Sequence, residues 1–196
     1  MNERVFAEGL AVIDDVFYQL TYKQQAAFMY KETSTGFELL GNHSYRSNEG
    51  WGLTTDGKVL IMSDSSAELI FIDPSTWREV KRVTVRDSMG QPVTWVNELE
   101  WVHGKLLANH FMSQELLVIN PDTGVIEEYF DIADLNPSPY PKCKCQCGPP
   151  TSNGIAYDPV GDRLFITGKD WQAYYLVRLT FANGKVIGDG SGMRSD

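Results

Sequence analysis

A strand, a tight turn and a second strand recur four times along this chain of 196 residues. The four copies occupy residues 9–18, 52–61, 99–107 and 154–165. Each apolar run is short and is bounded by Gly, Pro, Asp or Asn, which is typical of antiparallel strands joined by turns. A unit that returns in the same order limits the chain to repeat architectures, because one hairpin cannot bury its apolar faces alone.

A second hairpin signal follows each copy of the first. Its turn falls at Gly36, Trp77, Gly124 and Gly184, at intervals of 41, 47 and 60 residues. Four strands in about 40 to 50 residues are typical of one blade of a β-propeller. We therefore predict an all-β chain that forms a β-propeller with four blades, and we prefer it to a plain antiparallel meander whose turns are alike by composition.

The repeats also predict the domain organisation. The inner strands of the blades are predicted to begin near Gly9, Gly52, Leu99 and Gly154. An insertion at 136–150 lengthens the last interval between turns. We assign residues 1–188 to a single, incomplete β-propeller domain of four repeats, and residues 189–196, which contain Gly-Ser-Gly, to a flexible tail.

The composition excludes several classes of function. The chain has 17 Lys and Arg against 26 Asp and Glu, and its net charge of −9 repels the phosphates of nucleic acids. No apolar run approaches the roughly 18 residues that cross a bilayer, and the N-terminal sequence lacks the pattern of a cleavable signal peptide. We therefore expect neither nucleic acid nor membrane as a partner. Aromatic residues make up 12% of the chain, which favours an aromatic-lined site.

The register of the repeats predicts which side chains meet. The inner strands of a propeller line one channel, so their first residues converge at one end of it. The residues at the starts of these strands are Glu8, Trp51, Asn97 and Asn153. The residues at the ends of the second strands include Tyr22, Phe111 and Lys169. We expect these side chains to face one space, which suits a small polar ligand with an apolar flank.

Cys143, Cys145 and Cys147 form the most unusual local pattern. Because they alternate, their sulfur atoms would lie on one side of an extended segment, where they suit a soft metal ion. No fourth ligand is evident in the sequence. The neighbouring Pro and Gly residues indicate a loop between strands, and a plain or redox-sensitive loop is the preferred interpretation.

Five segments match the pattern of a known family. They are residues 6–10, 49–57, 60–64, 97–100 and 153–159. The most specific is Glu-Gly-Trp-Gly-Leu-Thr-Thr-Asp-Gly at 49–57. Together these segments resemble the plant and bacterial type of glutaminyl cyclase, the glutaminyl-peptide cyclotransferase family with a five-bladed propeller. The resemblance runs from about Phe6 to Leu179, which is nearly the whole chain.

The resemblance implies roles for individual residues. The acidic residue of the family, in a Phe-Gly-Glu-Gly motif, falls on Glu8, its amide on Asn97 and its lysine on Lys169. Its channel tryptophans fall on Tyr22, Trp51 and Phe111. The family also has an earlier blade with a Phe-Thr-Gln-Gly motif, which has no counterpart before Phe6. The chain is therefore expected to be one blade short.

The implied reaction converts the N-terminal glutamine of a peptide or protein to pyroglutamate and releases ammonia. The catalytic residues are then Glu8, Asn97 and Lys169. The substrate-binding residues are Tyr22, Trp51, Phe111 and Asn153. Glu8 would take a proton from the attacking amine and return it to the leaving ammonia. The chemistry requires no cofactor, and a structural calcium ion is left open.

Two other functions are compatible with the sequence. A missing blade is compatible with a non-catalytic propeller remnant of the same family. Glu8, Asn97 and Asn153 also offer the oxygen ligands that calcium prefers, as in a calcium-dependent propeller hydrolase such as a lactonase. We favour the cyclotransferase because the matching segments indicate it and because Lys169 has no place as a calcium ligand.

Overall fold

The computed structural model describes residues 5–135, 151–169 and 171–188. Within this part of the chain the regular structure is almost entirely β, apart from one 3₁₀ turn at Ala133–Leu135. No helix in these ranges has the length and apolar character that a bilayer crossing needs. The all-β prediction is confirmed. The three cysteines and the predicted tail at 189–196 lie outside the described residues.

Three four-stranded antiparallel sheets follow one another along the chain, each built from consecutive strands. The first sheet contains β1 (Ala7–Ile13), β2 (Val16–Thr21), β3 (Ala26–Thr33) and β4 (Gly36–Ser44). The second contains β5 (Leu53–Thr55), β6 (Leu60–Ser63), β7 (Glu68–Ile72) and β8 (Glu79–Thr84). The third contains β9 (Val96–Val102), β10 (Lys105–His110), β11 (Glu115–Ile119) and β12 (Ile126–Asp131). These sheets are the first three blades.

The fourth blade departs from the predicted set of four continuous strands. β13 (Ser152–Asp158), β14 (Arg163–Gly168) and β15 (Tyr175–Val177) form a three-stranded sheet. β16 (Leu179–Thr180) and β17 (Val186–Ile187) form a separate hairpin. The break falls between β15 and β16, where the buried Leu179 packs into the core shared with the third blade.

The first strands of successive blades, β1, β5, β9 and β13, lie side by side. They therefore line a common channel, and the other strands of each blade extend outward from it. This is the four-blade propeller arrangement that the repeats predict. The predicted starts of the inner strands agree with the observed strands to within three residues.

Two-residue turns set the register of the first and third blades. Asp14 and Asp15 join β1 to β2 with φ of 50° and 63°, and His103 and Gly104 join β9 to β10 with φ of 49° and 79°. Turns in which both residues have positive φ match the twist of the strands they connect, and they favour Asp and Gly. The short turns that the sequence indicates are therefore what aligns the apolar faces of these hairpins.

Three apolar layers hold the blades together, one between each pair of neighbours. Adjacent residues in a strand face opposite sides, so each strand contributes to two layers. On β6, Leu60 packs toward the first blade and Ile61 toward the third. On β10, Leu106 packs toward the second blade and Leu107 toward the fourth. Full burial of each such side chain stabilises the fold by about 1.5 to 3 kcal/mol.

The outward faces of the first and fourth blades are also apolar, although no described blade covers them. On the first blade, Leu10, Val12 and Phe37 are 51%, 44% and 62% exposed. On the fourth blade, Tyr174 and Leu176 are 73% and 59% exposed. Clusters of exposed apolar residues of this kind mark contact surfaces in soluble proteins. We call these two surfaces the end faces.

Candidate active site at the start of the inner strands

An equivalent backbone hydrogen bond ties the second strand of three blades to the start of the inner strand. The N–H to carbonyl pairs, each at 2.9 Å, are Tyr22 to Phe6, Phe111 to Trp95 and Lys169 to Thr151. Each acceptor lies two residues before a predicted site residue, namely Glu8, Asn97 or Asn153. The structure therefore brings the predicted residues of these blades to one end of the channel.

Two glycines allow the inner strands to approach one another at this end. A Cβ atom on Gly9 would lie closer than 3.0 Å to the backbone of Leu53, and one on Gly52 would lie closer than 3.0 Å to the Asn97 carbonyl oxygen. Ser63 links the same strands, because its hydroxyl donates to the Asn97 carbonyl at 2.7 Å and accepts from the Gly52 N–H at 2.8 Å. The starts of three inner strands are thus held in contact.

Glu8 and Lys169 interact electrostatically at this end of the channel. Burial raises the pKa of Glu8 above its ordinary value, the charge of Lys169 opposes part of that rise, and the charge of Glu49 adds to it. Lys169 Nζ also lies 5.2 Å from the centre of the Phe111 ring, within the range of a cation–π contact. A carboxyl group with a raised pKa is suited to exchanging a proton near neutral pH.

Aromatic rings form one wall of this space. The Trp51 and Phe111 rings meet edge to face with their centres 5.2 Å apart. Phe111 also stacks on Trp95, with centres 5.7 Å apart and planes inclined by 26°. Trp95 is a residue of this wall that was not predicted from the sequence. The repeat register places it where Phe6 stands in the first blade, two residues before the predicted site residue, and that equivalence was the available signal.

Tyr22 belongs to a separate part of the wall. Its ring packs against Phe6, with centres 6.0 Å apart, and Lys23 Nζ lies 4.7 Å from its centre. Lys23 Nζ is in turn 3.5 Å from one carboxylate oxygen of Glu49, and the other oxygen accepts a hydrogen bond of 3.0 Å from Trp51 Nε1. Glu49 therefore links Tyr22 to Trp51. This role for the first residue of the 49–57 segment was not predicted from the sequence.

The two predicted amides differ in their surroundings. Asn97 is 5% exposed, and in the described ranges its side chain makes no hydrogen bond to the protein. Asn153 is half-buried, and its position is set by a hydrogen bond of 2.9 Å from the Gly154 N–H to Asn109 Oδ1. Because no protein group in the described ranges occupies its donors, the Asn97 amide is available to bond a ligand.

Residues 1–179 match the family model described as glutamine cyclotransferase. The chain belongs to the glutamine cyclotransferase family. A glutaminyl-peptide cyclotransferase of Arabidopsis thaliana is 30% identical to it over 185 residues, which are 94% of this chain and 56% of that protein. The chain thus spans little more than half the length of this curated relative.

Solved structures agree with the family assignment. Glutaminyl cyclase of Myxococcus xanthus matches with a TM-score of 0.77 and 32% identity, over 90% of this chain and 74% of that one. The computationally designed Ika4 protein matches with a TM-score of 0.51 at 11% identity, over 90% and 92% of the two chains. The WD40 β-propeller domain of Doa1 matches with a TM-score of 0.53 at 8% identity, over 95% of this chain and 50% of that one. The last two similarities concern the fold alone.

Two further carboxyl groups of this family member lie on β9. Burial raises the pKa of Glu98 to about 8, and the charges of Glu100 and Glu8 add to the rise. Burial also raises the pKa of Glu100 to about 7. Hydrogen bonds from the Tyr157 N–H at 2.7 Å and from Thr54 Oγ1 at 3.3 Å oppose this rise, because they stabilise the charged carboxylate. The alternation in Asn-Glu-Leu-Glu places both carboxyl groups on one face of the strand, and this signal is present in the sequence.

A cavity of about 860 Å³ opens at the opposite end of the channel, where the inner strands finish. Its lining includes Glu100, His103 and Tyr157. None of the predicted site residues lines it. Because Glu98 interacts with both Glu8 and Glu100, the carboxyl groups form an electrostatic series from the candidate site toward this cavity.

The donor set proposed for calcium fits a divalent cation poorly. Its single carboxylate, Glu8, is influenced by the positive charge of Lys169. A cation beside that carboxylate opposes the binding of another cation by Coulomb repulsion. In the described part of the chain, no group of three His, Cys, Asp or Glu side chains is arranged to hold a metal ion.

Proposed function

We propose that this chain forms the catalytic part of a glutaminyl-peptide cyclotransferase, which converts the N-terminal glutamine of a peptide or protein to pyroglutamate and releases ammonia. The observation that carries the proposal is the Glu8 carboxyl group, whose pKa is raised by burial, beside Lys169 and at the aromatic end of the channel. Membership of the glutamine cyclotransferase family supports the same reaction.

The substrate supplies both reacting groups. Its α-amine nitrogen attacks the side-chain carboxamide carbon of the same residue, and the new C–N bond closes a five-membered ring. The bond from that carbon to the amide nitrogen then breaks. The reaction needs no nucleophile from the protein, so the site contributes by holding the amine against the carboxamide and by moving protons.

Glu8 is suited to both proton transfers. As a carboxylate it accepts a proton from the amine nitrogen as the new bond forms. As a carboxylic acid it then donates that proton to the amide nitrogen, which leaves as ammonia, and Glu8 returns to its starting state. A pKa raised toward neutral favours this exchange, because the group must hold the proton in one step and release it in the other.

Asn97 and Lys169 provide donors for the carboxamide oxygen, which gains negative charge during the attack. Loss of one such donor typically costs about 10² to 10³ in rate. The Trp51 and Phe111 rings would hold the aliphatic part of the glutamine and exclude water, and Tyr22 would close the other side. Asn153, at the start of the fourth inner strand, would bond the peptide.

The exposed end faces support the expectation of a five-bladed ring, since a fifth blade between them would bury both. The same observation favours a second candidate, a non-catalytic propeller remnant. In that case the open arc would lack the site residues that the family places on an earlier blade. The two candidates differ in whether this chain releases ammonia.

The experiment compares two peptides of the same sequence that differ only in whether the N-terminal amine is free. Ammonia release and pyroglutamate are measured with a peptide that begins with glutamine and with the same peptide carrying an N-acetyl group, which removes the attacking amine. We expect release from the free peptide alone. If circular dichroism shows that the chain is folded and it releases no ammonia from either peptide, the non-catalytic remnant is supported. Addition of a chelator during the assay tests the calcium-dependent hydrolase.

A further inference from the structure

Trp95 is an exposed ring at the outer end of the aromatic wall. Its side chain is 47% exposed, although the ring stacks on Phe111. Phe111 contacts the half-buried Trp51. The three rings therefore form a continuous apolar surface that leads from the interior of the candidate site to solvent.

The backbone holds Trp95 in an uncommon conformation. Its φ of 65° lies in the left-handed region, which is rare for a large aromatic residue. Two hydrogen bonds maintain it, because the Trp95 N–H donates to the Ser65 carbonyl at 2.7 Å and its own carbonyl accepts from the Phe111 N–H at 2.9 Å. The ring is thus fixed beside Phe111 while one part of it faces water.

We propose that Trp95 forms a subsite for the residue that follows the N-terminal glutamine, and that it selects an aromatic or large apolar side chain there. The inference rests on the proposed function. When the glutamine side chain lies against Trp51 and Phe111, the rest of the peptide must leave the channel toward solvent. The next ring along that path is Trp95, and a fixed, half-exposed indole is suited to stack with another ring.

The expected selectivity follows from the strength of such contacts. An aromatic pair contributes about 0.5 to 1.5 kcal/mol, which corresponds to about a twofold to tenfold difference in KM. The kinetics of two dipeptide amides, Gln-Phe and Gln-Gly, measure this difference directly. We expect KM to be lower for Gln-Phe by this factor. We expect Trp95→Ala to remove the difference and Trp95→Phe to retain part of it.

The matched control is Tyr174→Ala. Tyr174, like Trp95, is an exposed ring in contact with a phenylalanine, although it packs edge to face and lies on the end face of the fourth blade. We expect its loss to leave the ratio of the two KM values unchanged. This variant shows whether removal of any exposed ring alters the kinetics.

The outcomes distinguish the subsite from the proposed function. Cyclisation of both substrates with equal KM by the unmodified chain would overturn the subsite and leave the proposed function in place. An equal loss on both substrates in Trp95→Ala would show that Trp95 supports Phe111 and does not contact the peptide, which also overturns the subsite. Absence of cyclisation with every peptide would refute the proposed function, and the subsite with it.

Discussion

Replacement of Glu98 by glutamine removes a half-buried carboxyl group whose pKa the fold raises strongly. In the folded chain this group keeps its proton up to about pH 8, whereas its ordinary pKa is 4.5. Between these two values the folded state binds more protons than the unfolded state. The free energy of unfolding therefore falls as the pH rises through this window.

The size of the effect follows from the two pKa values. Each unit of pKa difference corresponds to 1.36 kcal/mol, so the shift to about 8 removes about 5 kcal/mol of stability by pH 9 and none below pH 4.5. Glutamine has nearly the shape of the protonated carboxyl group but does not ionise. Glu98→Gln should therefore lie within about 1 kcal/mol of the unmodified chain at pH 5 and exceed its stability by about 5 kcal/mol at pH 9.

Urea denaturation at pH 5, 7 and 9 measures the difference. The control is Glu38→Gln, which makes the same change at an exposed position on β4. A gain below about 1 kcal/mol for Glu98→Gln at pH 9 would show that Glu98 ionises freely in the folded chain. The electrostatic series of carboxyl groups in the channel would then be wrong.

Three further predictions concern the site and its support. Glu49→Gln keeps an oxygen acceptor for the Trp51 indole but removes a charge that raises the pKa of Glu8. The acidic limb of the pH profile of kcat/KM should therefore move to lower pH. An unmoved limb would contradict the electrostatic effect of Glu49 on Glu8. Gly52→Ala places a methyl group against the Asn97 carbonyl and should lower the free energy of unfolding by about 3 kcal/mol or more. A loss below about 1 kcal/mol would refute the close approach of the second and third inner strands. The chain alone should self-associate through its end faces in sedimentation experiments and should become monomeric when a preceding blade is added, whereas a monodisperse monomer without that blade contradicts the incomplete ring.

The blade pattern could be predicted from the sequence because its signals are local. Each tight turn, such as Asp14-Asp15 or His103-Gly104, requires residues that tolerate positive φ, and the apolar runs beside it alternate with the period of a strand. Repetition then places equivalent residues at equivalent points of the ring. For this reason the register alone placed Glu8, Asn97 and Asn153 at the same end of the channel.

Other features depend on contacts between blades that no local pattern encodes. The pKa of Glu98 is raised because neighbouring inner strands bury it, and a glutamate in a strand carries no sign of that burial. At the break between β15 and β16, Leu179 is buried in the core shared with the third blade, and the adjacent Val177-Arg178 carries no turn signal.

The most direct test of the account is the rate of pyroglutamate formation from a glutamine-initiated peptide by the chain and by Glu8→Gln. The amide keeps the size of the side chain but cannot exchange the proton, so kcat should fall by about 10² to 10⁴ while KM changes little. Glu38→Gln should retain the full rate. A loss of less than about tenfold in Glu8→Gln would contradict the assignment of Glu8 as the group that moves the proton.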